Sequence, residues 1–345
     1  MKNKLLALIG LLILSFNVAA GEKYRVAWSH YTGWEPWGYA QESGILKKWA
    51  DKNGIEIKLT LVNDYIESIN LYTSGQFDGV VMTNMDALTI PAVGGIDSTA
   101  IIVGDFSNGN DGIVIKNGTS VKDMKGRTVR LVELSVSHYM LARALEANGM
   151  SEKDIKVVNT SDAEIANIFT NEKNAAVVTW NPPLQVVRNV KGANLVYDSS
   201  KIPGEIIDMM VVKTKASEKL KKALTGAWYE TMNVMSAKNS KAKKAISMMS
   251  AQAGATDAEF KSQLKTTAMF YKPQEAVDFV NSSKLIDTME YVRTFSFDKG
   301  LFGNGAANKN FVGMEFPGNK TLGAKANVKL RFTDKYMKMA AEGKL

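Results

Sequence analysis

Cysteine is absent from all 345 residues. That excludes disulfide crosslinks, cysteine zinc sites and a lipid anchor carried on sulfur, and leaves core burial as the source of stability. Histidine is nearly as scarce. His30 and His138 have no cysteine partners and no HExxH spacing, so a zinc centre is not expected. The sequence also has no GxSxG elbow, no GxxxxGK[ST] phosphate loop and no GxGxxG fingerprint, and the cluster Gly303, Asn304, Gly305 reads as a turn. No catalytic residue, metal or cofactor is assigned, and an enzyme is not expected.

Long apolar runs are equally rare. The one that stands out, Leu5 to Phe16, follows Lys2 and Lys4 and ends in Val18 and Ala20 before Gly21. It is too short to span a bilayer comfortably, and its layout is that of an export signal cut after Ala20. Residues 1–20 are therefore read as a signal, and the rest as a soluble exported protein. Losing Lys2 and Lys4 brings the formal charge of +8 to +6. The remaining basic residues are dispersed or lie on amphipathic helices, as Lys219, Lys221 and Lys222 do around Leu220 and Leu224. This is the pattern of a solvated helix face, so nucleic acid is not expected as a partner.

Short β-rich runs alternate with helical patterns from Tyr24 onward, which points to parallel strands joined by crossover helices. Strands are expected at Tyr24–Trp28, Glu56–Val62, Gly79–Thr83 and Thr99–Val103, with helices between them. The polar, glycine-rich segment 104–112 reads as a crossing into a second set, with strands at 113–115, 128–131, 155–159 and 175–179. Turn residues at 197–205 precede the apolar strand Ile206–Val212 and mark the return. About 325 residues exceed what one core usually supports. The expected architecture is α/β with two lobes, each a mostly parallel sheet flanked by helices. Lobe 1 takes 21–104 and 209–345, lobe 2 takes 105–208, and two hinge crossings join them. The segment after Asn308 carries no site signal and is expected to wrap lobe 1.

In open α/β sheets ligands lie beyond the C-terminal ends of strands. The residues there include Trp34 and Trp37 in SHYTGWEPW, Asp64 after the second strand, Asn84 and Asp86 after the third, Glu133 in the second lobe, and Trp180 with Asn181 in TWNPP. Indoles and carboxylates dominate and arginine and lysine are missing, which suits a cation. Asp64 and Asp86 also precede helical patterns, where a capping role accounts for them equally well.

The stretches GYAQESGILKKWADKNGIEIKL, TSGQFDGVVMTNMDAL and SVKDMKGRTVRL, in that order, resemble the solute-binding proteins of ATP-driven importers in the group that takes nitrate, sulfonates, taurine and thiamine-pyrimidine precursors. WEPWGYA and VVTWNPPLQ resemble the branch named for urea and linked to urea carboxylase-type enzymes, relatives of which act on guanidine. The resemblance implies a type II periplasmic binding protein fold, a periplasmic monomer, a small-molecule ligand, and permease and ATPase subunits as partners. With the carboxylates above it favours guanidinium over urea. A small anion such as taurine or nitrate, or a sensor without transport, are the other readings.

Overall fold

A computed structural model describes residues 22–345; the expected signal at 1–20 lies outside the described residues. In chain order the strands are β1 (Glu22–Trp28), β2 (Ile55–Leu61), β3 (Gly79–Thr83), β4 (Ser98–Ser107), β5 (Asp111–Lys116), β6 (Thr128–Leu131) and β7 (Lys156–Asn159). They continue with β8 (Ala176–Trp180), β9 (Ala193–Asp198), β10 (Ile207–Lys213), β11 (Thr267–Met269), β12 (Gly313–Phe316), β13 (Lys320–Leu322) and β14 (Val328–Phe332). Two sheets result. The larger has the order β13-β12-β14-β4-β10-β3-β1-β2, with β11 also paired to β4, and the smaller has the order β7-β6-β8-β5-β9.

Burial follows position in the sheet. Every residue of β3 is buried, because neighbours flank it and helices cover both faces, and it reads as the unbroken apolar run GVVMT. At the edge, β2 alternates as IEIKLTL, with one face toward solvent. Helix starts follow capping chemistry: Asp64 accepts from the Glu67 amide at 2.9 Å before helix Tyr65–Thr73, and Ser135 accepts from the Ser137 amide before helix Val136–Ala147.

The chain passes between the sheets twice, between Ser107 and Asp111 and between Asp198 and Ile207. Both sheets are mixed. Strands joined by crossover helices run parallel, as β1 does with β2 and β3, and β6 with β7 and β8. A strand arriving through a crossing runs the other way. Thus β5 pairs antiparallel with β8 and β9, and β10 pairs antiparallel with β3 and β4. Asp105 to Ser107 and Ile207 to Asp208 belong to the larger sheet, although the turn residues around them suggested the second lobe. The cause is the β4–β10 ladder, which runs past Gly104 to pair Asp105 with Asp208 and Phe106 with Ile207.

The C-terminal segment does not merely cover lobe 1. It supplies β12, β13 and β14 to its sheet, and helix Lys335–Ala341 packs beside helices Glu218–Ser236 and Pro273–Val280. One continuous buried cluster runs from the larger sheet through Trp34, Tyr65 and Trp180 into the smaller one, while a separate cluster around Val114, Phe169 and Leu184 sits within the smaller lobe. The two lobes therefore touch, and the cleft between them is closed.

Candidate functional site

The strand ends of both sheets converge on this closed cleft. In the larger sheet, register places Thr83, Asp208 and Asp105 side by side on β3, β10 and β4. In the smaller one, Asp111 of β5 pairs with Trp180 of β8. Like charges directly opposite each other disfavour a sheet. Their presence here, fully buried, marks the place as built for something other than stability.

Between these rows lies a narrow cavity of about 10 Å³. Its aromatic wall is Tyr31, Trp34, Tyr65 and Trp180, with ring centroids 5.1 Å apart for Tyr31 and Trp34, 5.3 Å for Trp34 and Tyr65, and 5.7 Å for Tyr65 and Trp180. Thr83, Asp111 and Asp208 give the polar side, and Val136 and Ile206 close it. Behind Trp34 and Asp208, which border both spaces, a second cavity of about 10 Å³ reaches Trp37, Asp105 and Trp228. No lysine, arginine or histidine lines either one. A larger groove at the cleft mouth, past His30, Asp162, Pro182 and Pro183, is open to solvent.

Four aspartates crowd around this space. Asp86, Asp105, Asp111 and Asp208 are all at most 2 % exposed. Tyr65 and Thr83 donate to Asp86 Oδ2 at 2.6 and 2.8 Å, and Tyr31 donates to Asp105 Oδ1 at 3.3 Å. Asp86 Oδ1, Asp105 Oδ2, Asp111 Oδ2 and both Asp208 oxygens have no hydrogen-bond partner. Burial pushes Asp86 up to about 6, against the pull of the Tyr65 and Thr83 donors, and pushes Asp105 and Asp111 up to about 7. Burial, and then the neighbouring Asp105, hold Asp208 well above the ordinary carboxyl range. Unpaired buried carboxylates of this kind cost several kcal/mol unless a cation or a proton meets them.

Of the residues singled out from sequence, Trp34 and Trp180 face the cavity, and Asp86 lies beside its Tyr65–Thr83 wall. Trp37 borders the deeper space and stacks on Trp228 at 5.1 Å. Asn181 donates to Asn110 Oδ1 at 2.5 Å next to the first crossing, and its own Oδ1 is free. Asn84 does not reach the cavity: its amide donates to the Glu205 carbonyl and its Oδ1 accepts from the Ile207 amide, which pins the return crossing to β3. Asp64 caps its helix and accepts from Ser161 of the other lobe at 3.3 Å. Glu133 is exposed, and only its backbone amide is bonded, to Asn159.

Tyr31, Tyr65, Asp105, Asp111 and Asp208 were not singled out. Asp208 had a signal, since an acid inside the apolar run IIDMMVV needs a reason to be there, and Asp105 and Asp111 flank the glycine-rich crossing. Gly33 supports the same cluster. A Cβ at this glycine would come within 2.4 Å of Asp105 Oδ2 and 2.7 Å of the Tyr31 ring, so only glycine lets the loop close over the carboxylate.

Solved structures share this architecture. The periplasmic aliphatic sulphonate binding protein SsuA from Escherichia coli is 17 % identical, with a TM-score of 0.67 over 82 % of this chain and 94 % of its own. The alkanesulfonate-binding protein SsuA from Xanthomonas axonopodis pv. citri, bound to MOPS, is 14 % identical, with a TM-score of 0.67 over 83 % and 96 %. The periplasmic nitrate-binding protein NrtA from Synechocystis PCC 6803 is 13 % identical, with a TM-score of 0.62 over 94 % and 89 %. Identity at this level fixes the fold alone. No curated protein sequence matches the chain. Residues 39–222, from the first helix through the second sheet and the return to the first, match the family described as NMT1/THI5 like, and the chain belongs to that family.

Proposed function

We propose that this protein is the periplasmic solute-binding component of an ATP-driven importer, that it captures a small planar organic cation, guanidinium foremost, between its lobes, and that it delivers the closed complex to membrane permease and ATPase subunits. The observation that carries the reading is the set of fully buried aspartate oxygens without partners around an aromatic cavity that no basic side chain lines. A planar cation with several N–H donors satisfies those oxygens, and its face stacks on indole or phenol rings, a contact worth about 0.5 to 2 kcal/mol. Tyr31, Trp34, Tyr65, Asp86, Asp111, Trp180 and Asp208 are the proposed contacts. Structural neighbours named for sulfonate and nitrate binding support the importer role. Their anionic ligands fit this cavity poorly, since four buried carboxyls repel negative charge.

Neutral urea is the second reading. Asn110 Nδ2 and Asn181 Oδ1 are buried without partners, and amide groups pair with a urea carbonyl and its N–H groups. Titration calorimetry with guanidinium chloride, urea, taurine and nitrate separates the cases. Heat with guanidinium and none with taurine or nitrate is expected, and anion binding alone would defeat the cation reading. Permease and ATPase genes beside this one would distinguish an importer component from a sensor.

A further inference from the structure

The two carboxyls at the centre of the cluster face each other across a strand pair. Asp105 and Asp208 are directly opposite on β4 and β10, both are fully buried, and directly opposite residues of an antiparallel pair project to the same face with Cβ atoms about 4.5–5.5 Å apart. Two carboxylates cannot both be ionised at such separation in a dry site, whereas one proton held between them turns the repulsion into a hydrogen bond. The groups facing the pair do not supply a positive charge. They are the Tyr31 hydroxyl from the loop after β1, Asp111 from β5, Asp86 beyond it, and Tyr271 after β11.

We infer that Asp105 and Asp208 hold one proton between them in the empty protein and release it to solvent when the cation enters, so that capture is a proton-for-cation exchange. The inference rests on the cation reading and adds its regulation by pH. A cation beside Asp208 supplies the positive charge that the proton supplied before, and the pair then ionises fully. Atoms and charge balance: one cation enters, one proton leaves, and the cluster keeps its net charge. A neutral ligand has no such effect, because the shared proton remains the only compensation and can itself be donated to a carbonyl oxygen.

Two measurements test this. In the ligand-free protein labelled with carboxyl-13C aspartate, NMR titration should show one aspartate pair losing its protons in two widely separated steps. All aspartates titrating together in the ordinary acidic range would overturn the proposal. Calorimetry with guanidinium chloride just above neutral pH, in two buffers of different ionisation heat, should give a buffer-dependent enthalpy that reports release of about one proton, with affinity rising by up to about tenfold per pH unit. Asp208→Asn should abolish both the second NMR step and the buffer dependence. If the NMR pair is present and guanidinium binds with a buffer-independent heat, the exchange is wrong and the cation reading stands. If the pair is present and guanidinium gives no heat while urea does, the cation reading is wrong and the exchange goes with it.

Discussion

Replacing Asp111 by asparagine should move stability and affinity in opposite directions. Asp111 lines the cavity, is 2 % exposed, and leaves Oδ2 without a partner. Burial raises its carboxyl from 3.8 to about 7, which at 1.36 kcal/mol per unit sets the cost of the ionised form in the folded protein at roughly 4 kcal/mol. The sign follows from linkage. A carboxyl with a raised folded value favours the fold fully below its unfolded value of 3.8 and loses that contribution as pH rises through about 7. At pH 8 the empty protein therefore carries the whole cost, and Asp111→Asn removes most of it, since an amide carries no charge to desolvate. The melting temperature of the ligand-free variant should rise by roughly 4–8 °C at pH 8 and hardly at all at pH 4. Guanidinium affinity should fall by about 1.5–3 kcal/mol, about tenfold to a hundredfold or slightly more, because a charge-assisted hydrogen bond is lost. Scanning calorimetry and ligand titration read the two effects. A variant less stable at pH 8 that still binds guanidinium as tightly as the parent would refute the reasoning on both counts.

Gly33→Ala should destabilise the protein by about 1–3 kcal/mol, since its methyl must displace Asp105 or Tyr31, and should weaken guanidinium binding; unchanged thermal stability would show that the loop yields freely. Glu133→Gln should leave affinity within about twofold, because the side chain is exposed and bonded to nothing, and a larger loss in calorimetry would bring it into the site. Glu152→Gln should favour the open form. Glu152 joins His138 of the smaller lobe at 3.1 Å to Lys299 at the end of helix Ser283–Asp298, and these partners, His138 first, hold its carboxyl down at about 2. In the parent this contribution is complete above pH 4.5 and fades as pH falls toward about 2. A larger radius of gyration by small-angle scattering is expected for the ligand-free variant at neutral pH, and identical scattering would exclude a closing role.

Local pattern made most of the fold legible. Strands Gly79–Thr83 and Thr128–Leu131 occur with the bounds their pattern indicates, since short β-rich runs depend on neighbours in sequence. The sheet directions at β5 and β10 were not legible, because the crossing sets them and not the local pattern. The site was legible in its aromatic half: Trp34 and Trp180 stand out among turn-forming neighbours. Its acidic half depends on the register between β4 and β10, two strands about a hundred residues apart, and no local signal shows that Asp105 meets Asp208. Glu133 illustrates the converse. A position just after a strand brings a residue near the cleft, but the direction of its side chain is decided by the following turn, here with Leu134 in left-handed backbone and Glu133 turned outward.

A shared fold with proteins named for sulfonate and nitrate binding does not require a shared charge of ligand. The architecture supplies two crossings, a cleft between the lobes, and strand ends that point into it, and those features depend on apolar strands and capped helices that tolerate wide sequence change. The sign of the site depends on a few side chains at the strand ends. Here those side chains are Asp105, Asp111 and Asp208 with Asp86 behind them, and the positions that border the cavity hold no basic residue. At identities of 13–17 % to the solved neighbours, so few positions are free to change sign while the lobes and hinge stay the same. A buried cluster of four acids is expensive to keep in an empty protein. Its cost falls away only when a positive guest or protons arrive, and on the proposed function this makes the charge of the ligand the property that the cleft selects most strongly.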